Sequence, residues 1–489
     1  MGISSALNNA ASGLAASSRL ADTISNNVAN AMTVGYARRT TELSSLTAGG
    51  YGSGVKVTGT YRAENAYLTS ERRALDAQTG ASGTIADTYE RIMAVVGEAG
   101  ADSSLSTLAT ALETTLMSAT ASPQSTTKLT DAVTAAKNLA DALNRVSDEN
   151  SRIRTEADAE IARQVGQVND TLHAIDDINK KIATLAPKGV DVTSLQDERN
   201  RLIDGISAII PVKVAKRDGD QVALYSQNGG LLLDGQVYEL KFTQAPNVVT
   251  AEMSLGSPLG GLSQDLHAAS GPVAVAAGTG SGLFDGGTLG ALFEVRDSIV
   301  PEVDAEMDRY ANDLIERFRD LMPATWLDAS GEGLFVDGSG SGSATGLAGR
   351  IEVNAAVDAS AGGAAWRLRD GLSAATAGAE GNGVNLQALA DAMGAARQPI
   401  GFISQSANAG GALMASEISS FLAGRSARSD DSRAYLTARQ SALVEQEVGE
   451  TGVNTDSELA SLTLVEQAYA ANARVLSVID DLMRLLLEI

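Results

Sequence analysis

Residues 3 to 38 read ISSALNNAASGLAASSRLADTISNNVANAMTVGYAR and carry the clearest structural pattern in the chain. Apolar and small residues recur there at alternating steps of four and three, which is the spacing of a coiled-coil seam. The positions are Ile3, Leu7, Ala10, Leu14, Ser17, Ala21, Ile24 and Val28. Such a thin seam gives little stability to an isolated helix in water. The pattern therefore predicts an N-terminal helix that needs a partner.

The last segment of the chain repeats this spacing. From residue 456 onward a helix is predicted, and its seam is Val465, Tyr469, Asn472, Leu476, Ile479, Met483 and Leu486. The two end segments are natural partners, so residues 1 to 49 and 455 to 489 are predicted to form a coiled-coil-like terminal domain. Asn472 either sets the register of that pairing, as buried polar seam residues do, or faces solvent.

Between the two ends the chain is predicted to be mainly helical, with β structure inserted. A helix of about 60 residues is expected over 126 to 186, with a kink near Asn150, and Ser194 is expected to cap the next helix. Short helices are expected over 383 to 397, 411 to 424 and 433 to 450. Asp-Gly and Asn-Gly pairs between apolar runs predict a β-meander after Pro211, and residues 255 to 290 are expected to be loop.

These elements predict a fold class of mainly α with inserted β. They also predict three domains. Besides the terminal domain, residues 50 to 210 and 290 to 454 are predicted to form a long helical-bundle (rod) domain, with a small β part near 329 to 400. Residues 211 to 289 are predicted to form a smaller, outer β-rich insertion.

Composition removes several classes of function. A formal net charge of −23 disfavours nucleic acid, because phosphate binding needs a basic surface. The chain has no run of about 18 apolar residues, so no membrane span is predicted. The first thirty residues lack the pattern of a cleaved secretory signal. With no Cys, two distant His residues and no catalytic or phosphate-binding motif, we expect no enzyme activity, no metal and no cofactor.

Short motifs near both ends carry a resemblance. Residues 27 to 30 (NVAN) are followed by residues 33 to 38 (TVGYAR), and residues 452 to 458 read GVNTDSE. Alone, the Asn residues could be simple helix-end caps. Together these motifs resemble the signatures of the bacterial flagellar axial proteins, the family of rod, hook and hook-associated proteins. One departure is Val34, where the family usually has Pro. Internal segments such as 195 to 204 and 287 to 297 resemble the hook-associated members.

The resemblance implies a structural subunit that assembles on the hook tip and joins hook to filament. Implied partners are other copies of the chain, the hook protein, the second junction protein and a cytoplasmic export chaperone that binds the C-terminal helix. It also implies export through the flagellar type III apparatus and an extracellular location in the flagellum. The expected N-terminal assembly residues are Ile3, Leu7, Leu14, Ile24, Asn27, Val28, Asn30, Gly35, Tyr36 and Arg38; the C-terminal seam is the expected assembly and chaperone surface.

Three alternatives stay open from the sequence. The first is another axial subunit, either hook protein or flagellin. The second is a secreted enzyme on a flagellar frame, and the third is an adhesin. If the resemblance holds, residues 1 to about 45 and 455 to 489 are expected to be largely disordered in the free monomer and to become ordered against neighbouring subunits.

Overall fold

The computed structural model describes residues 3–48, 51–98, 100–256, 258–267, 271–280, 282–397 and 409–487. Helices dominate it, as the sequence predicts. No helix in these ranges is long and apolar enough to cross a bilayer. The helices are α1 Ile3–Ala29, α2 Ala66–Val96, α3 Leu105–Ala121, α4 Thr126–Leu185, α5 Thr193–Ser207, α6 Thr288–Glu294, α7 Val300–Asp320, α8 Arg367–Asp370, α9 Val384–Gly394, α10 Gly411–Thr451 and α11 Thr455–Leu487.

The strands form small antiparallel groups, apart from one short parallel pair, β7–β8. β1 and β2 make a long hairpin, and β3, β4 and β5 make the meander predicted after Pro211. The strands are β1 Arg39–Ala48, β2 Tyr51–Arg62, β3 Val212–Lys216, β4 Val222–Ser226, β5 Leu231–Leu233, β6 Leu240–Lys241, β7 Ser254–Leu255, β8 Pro258–Leu259, β9 Ser263–Gln264, β10 Val273–Ala274, β11 Phe335–Asp337 and β12 Ile351–Val353.

The chain divides into two compact units. Unit 1 takes in the residues up to Ala77, Gln167–Tyr238 and the residues from Thr437 onward. Unit 2 takes in Gln78–Gly166 and Glu239–Leu436. The terminal segments therefore share a unit with the β1–β2 hairpin, α5 and the meander. The three-domain division drawn from the sequence stays a prediction.

Unit 1 is built on the pairing of its first and last helices. α1 packs along α11 and also against β2, whose Val55 amide donates to Ser12 Oγ at 3.2 Å. On the β1 side, the hydroxyls of Thr23 and Thr41 hydrogen bond at 2.7 Å. The predicted pairing of the two chain ends is confirmed, and mainly α with inserted β is the observed fold class.

Unit 2 has its own core, in which α7 is nearly surrounded. Leu112 and Leu116 of α3 pack with α9, and Met307, Leu314 and Phe318 of α7 are fully buried. Between α6 and α7 the backbone makes one turn of π-helix, Val295–Ile299. Extra turns of this kind redirect side chains. The buried Arg296 in this turn donates to Asp158 of α4 at 2.6 Å.

Several local predictions were wrong. Ser194 does not cap α5, which begins at Thr193; Oδ1 of Asp191 accepts the Thr193 amide at 3.0 Å instead. α10 is one helix where two were predicted, because Gly424 and the charged residues after it do not interrupt it. α9 ends at Gly394, and short strands occur in the predicted loop over 255 to 290. α4 is one continuous helix, and the kink near Asn150 stays a prediction.

Candidate assembly surface

The predicted seam residues of α1 all face protein. Ile24 is buried, while Ile3, Leu7, Leu14 and Val28 are half-buried. Small residues complete the buried face, since Ala10, Ala16 and Ser17 are buried as well. Small side chains let two helices approach closely, so the thin seam seen in the sequence is the contact surface of α1.

The predicted seam of α11 is covered less evenly. Ile479 is buried, and Val465, Asn472 and Leu476 are half-buried. Tyr469 and Met483 remain exposed. The side chain of Leu486 lies outside the described residues. We call the set Val465, Tyr469, Asn472, Leu476, Ile479, Met483 and Leu486 the inner seam.

Gly13 and Asn472 mark the closest approach of the two helices. A Cβ atom at Gly13 would lie 2.8 Å from Nδ2 of Asn472, well inside van der Waals contact. The Asn472 amide donates to the Ala468 carbonyl of its own helix at 3.0 Å. Asn472 therefore lies against α1 beside Gly13, and its role in setting the register stays a prediction.

Asn27 joins the two terminal signatures through a complete set of hydrogen bonds. Its Nδ2 donates to the Arg39 carbonyl at 2.9 Å and to Oε2 of Glu458 at 3.1 Å. Its Oδ1 accepts from the Tyr36 hydroxyl and from the Arg39 amide, both at 2.9 Å. Asn27 is 1% exposed and Glu458 is 8% exposed. A buried polar group with every partner present is stabilising, whereas removal of one partner leaves the others unpaired.

The C-terminal signature supplies the other half of this junction. The Arg38 amide donates to the Thr451 carbonyl at 2.9 Å, so the chain after α1 is tied to the end of α10. Oδ1 of Asn454 then accepts the Ser457 amide at 3.0 Å, which caps α11 at its N-terminus. One turn later, Glu458 points back to Asn27. The two motifs are thus parts of one site.

The turn between α1 and β1 is held by Tyr36 and its neighbour. Burial raises the pKa of the Tyr36 hydroxyl, and the Arg39 guanidinium lies 4.9 Å from the centre of its ring. Arg39 also pairs with Asp197 of α5 at 3.2 Å. Gly35 has a φ of +82°, which a residue with a side chain adopts only under strain. These residues fix the shape of the turn.

The tip of the same turn is apolar and uncovered. Met32 is 97% exposed and Val34 is 88% exposed. Asn30 donates from Nδ2 to the Asn26 carbonyl at 2.9 Å, which closes the end of α1. Asn30 is thus a helix-end cap, whereas Asn27 is a tertiary contact. The sequence could not separate the two roles, because the partners of Asn27 are remote in the chain.

α11 carries a second apolar surface that the sequence reading missed. Each inner-seam residue is preceded in the sequence by another apolar residue. These preceding residues have the same four-three spacing. All are exposed: Leu464, Ala468, Ala471, Val475, Val478, Leu482 and Leu485. We call this set the outer stripe. The signal was present in the sequence as paired apolar residues, which make a stripe too wide for one partner helix.

Unit 1 also contains a charged cavity of about 150 Å³ between α2, α5 and β3. Arg72 pairs there with Asp76, Asp204 and Glu447, and Arg73 donates to Asp204 at 2.7 Å. The cationic side chains are thus engaged with carboxylates of the same unit. Within the described ranges, no three His, Asp or Glu side chains are grouped so as to hold a metal ion.

Three family models match the chain. The flagellar hook-associated protein FlgK helical domain matches residues 89–331. The flagella basal body rod protein matches residues 7–36, and the C-terminal model of the flagellar basal body rod FlgEFG protein matches residues 446–489. These last two ranges contain Asn27 and Glu458, respectively, which hydrogen bond to each other. The chain belongs to the flagellar hook-associated protein 1 (FlgK) family.

Curated members of this family align with part of the chain. Flagellar hook-associated protein 1 of Escherichia coli (strain K12) is 30% identical over 247 residues, which is 48% of this chain and 44% of that protein. The Bacillus subtilis (strain 168) protein of the same name is 26% identical over 253 residues, or 46% of this chain and 50% of that protein. The chain thus spans about half the length of the curated relatives it matches.

A solved structure of a family member can also be superposed in part. The flagellar hook junction protein FlgK from Burkholderia pseudomallei aligns with a TM-score of 0.44 at 20% identity, over 55% of this chain and 47% of that chain.

Proposed function

We propose that this chain is a structural subunit of the bacterial flagellum that assembles on the hook tip and forms the junction between hook and filament. The observation that carries the proposal is the construction of α11. Its inner seam holds α1, and its outer stripe is apolar, regular and exposed. An exposed apolar stripe of this length marks a contact with another protein.

The outer stripe fits a helix of a neighbouring axial subunit. Its four-three spacing is that of coiled-coil packing, which selects a helical partner. Burying a Val or Leu side chain contributes roughly 1.5–3 kcal/mol, so a few of these residues are enough for a stable lateral contact. The proposed neighbours are other copies of this chain, the hook protein and the second junction protein.

The same surface suits capture by a cytoplasmic export chaperone before assembly. Leu482 and Leu485 near the end of α11 are exposed apolar residues that would otherwise promote aggregation. We propose that the chaperone covers this end of α11, and that the chain then leaves through the flagellar type III apparatus. Chaperone binding and lattice contact would then compete for one face.

A matched pair of variants tests the proposed junction role. Val478→Asp places a charge in the outer stripe, whereas Ser477→Asp places the same charge at an exposed position about 100° around the helix, outside both apolar rows. In cells that lack their own hook-associated protein 1, labelled wild-type and Ser477→Asp chains should appear at the hook–filament boundary and restore filaments. Val478→Asp should do neither.

The result that contradicts the proposal is label spread along the whole filament or the hook, which would indicate flagellin or hook protein instead. Normal assembly by Val478→Asp would remove the outer stripe from the account. The proposed role is structural, and a metal analysis of the purified protein checks this, because a stoichiometric metal would point to the enzyme alternative.

A further inference from the structure

Asn150 and Asp304 form an incomplete pair in the core of unit 2. Asn150 lies on α4 and is 0% exposed, and Asp304 lies on α7 and is 6% exposed. Nδ2 of Asn150 donates to Oδ1 of Asp304 at 2.7 Å. Oδ1 of Asn150 is buried and has no hydrogen-bond partner among the described residues. An orphaned buried acceptor is costly, so a missing donor is indicated.

A protonated Asp304 carboxyl group can supply that donor. A neutral carboxyl group has one O–H in addition to its accepting oxygen, so it can accept from an amide and donate to the same amide. An ionised carboxylate only accepts, and it would leave the Asn150 oxygen unpaired. The amide of Asn150 has the complementary arrangement of one donor group and one acceptor.

The surroundings favour the neutral form. On α4, the cation that acts on Asp304 is Arg154, but its guanidinium donates to the backbone carbonyls of Arg296, Thr250 and Met253 at 2.7–2.8 Å. Glu252, which precedes β7, and Asp308, one turn further along α7, repel a negative charge at Asp304. Burial raises the pKa of Asp304 to about 7, although the Asn150 hydrogen bond and Arg154 both act to lower it.

We propose that Asp304 is a proton-linked latch between α4 and α7. When it carries a proton, it closes a two-way hydrogen-bonded pair with Asn150. When the proton leaves to solvent, the hydrogen bond donated by Asn150 remains, but Asn150 Oδ1 loses its donor and a buried charge appears between the helices. The packing of unit 2 thereby responds to the pH of the surroundings near neutrality.

The sign follows from proton linkage. The folded state holds this proton up to about pH 7, whereas an unfolded Asp releases it near pH 4. The latch therefore contributes its full stability below about pH 4 and loses it as pH rises through about 7. Between pH 5 and pH 8, the contribution of Asp304 should change the unfolding equilibrium constant on the order of a hundredfold.

The test compares full-length wild type with Asp304→Asn across pH 5 to 8. Both tryptophans, Trp326 and Trp366, lie in unit 2, so their fluorescence follows its unfolding in denaturant. Asparagine at 304 keeps a donor and an acceptor but cannot titrate. The ratio of wild-type to variant unfolding constants should rise on the order of a hundredfold from pH 5 to pH 8. Asp320→Asn, an exposed carboxylate on the same helix, should leave the wild-type profile unchanged.

A flat ratio across this range would overturn the latch. If Asp304→Asn fails to fold, infrared spectroscopy of the wild type decides. A carbonyl band of a buried protonated carboxyl group should be present at pH 6 and lost by pH 8.5. Absence of any such band at pH 6 would also overturn the proposal.

Discussion

α7 and α11 are both amphipathic helices, yet they use their side chains in opposite ways. In α7, thirteen of 21 residues are buried, including four acidic residues and Arg317. Among the described side chains of α11, those of Glu458 and Ile479 are buried, while leucines and valines of the outer stripe are exposed. α7 has its partners within unit 2, whereas α11 has one partner and room for another. The same apolar spacing therefore marks a core in α7 and an exposed surface in α11, which we propose to be an interface.

The largest effect on stability is expected inside α7. Arg317 is fully buried and donates to Asp313 at 2.7 Å and to carbonyls at the end of α9. Arg317→Met would remove the nearer of the two cations that pair with the buried Asp313 carboxylate and leave Arg397 at 3.4 Å, which costs about 3 kcal/mol. Tryptophan fluorescence during denaturant unfolding measures the change. Arg319→Met, at an exposed position on the same helix, serves as the control, and equal losses in both variants would refute the distinction.

A smaller loss is expected at the terminal junction. Asn27→Ala removes four hydrogen bonds and leaves the Glu458 carboxylate buried, which costs about 1–3 kcal/mol. Hydrogen exchange should speed up in α1 and in the start of α11 together. The exposed Asn26→Ala should have little effect. Faster exchange confined to α1 would show that Asn27 does not couple the two chain ends.

A double-mutant cycle between Gly13 and Asn472 tests the close approach of α1 and α11, and we expect energies of moderate size. Gly13→Ala pushes a methyl group into the Asn472 side chain and should weaken the helix contact by about 1 kcal/mol, while the higher helix propensity of Ala offsets a similar amount. Asn472→Ala should relieve that clash, so the double variant is expected to be more stable than Gly13→Ala alone. Additive losses in the double variant would mean that the two positions do not meet.

The smallest effect on monomer stability is expected in the outer stripe. Val478→Ser changes an exposed side chain, so the free energy of unfolding should move by less than about 0.5 kcal/mol. Assembly should nevertheless weaken, because the lost apolar contact belongs to a neighbour. A stability loss comparable to that of Asn27→Ala would instead place Val478 in the core of the monomer.

The spacing of apolar residues along the chain correctly predicted the helices and strands that bury one regular face. Ile24, Ser17 and Ile479 face protein as their seams require, and the long α4 and the meander after Pro211 occur where predicted. Local signals failed where tertiary contacts decide. Ser194 was predicted to cap α5, but it lies inside the helix, which has no side-chain cap, and β1 was missed because Thr40 to Thr47 show no clean alternation.

The site itself was only partly visible in the sequence. Asn27 was selected from its motif, but its bond to Glu458 joins residues 431 positions apart, and no local pattern encodes that distance. Likewise, the paired apolar residues of α11 were visible in the sequence, yet only the packing of α1 shows which of the two rows remains uncovered. The latch at Asp304 depends on burial, which spacing alone does not give.

The central claim is that the outer stripe of α11 is covered by a neighbouring subunit in the flagellum. Hydroxyl-radical footprinting of Val478, Leu482 and Leu485 in free protein and in isolated hook–junction particles tests it most directly. We expect these side chains to react readily in the free protein and to be strongly protected in the particles, with Ser477 and Arg484 protected less. Equal reactivity of the stripe in both states would contradict the account.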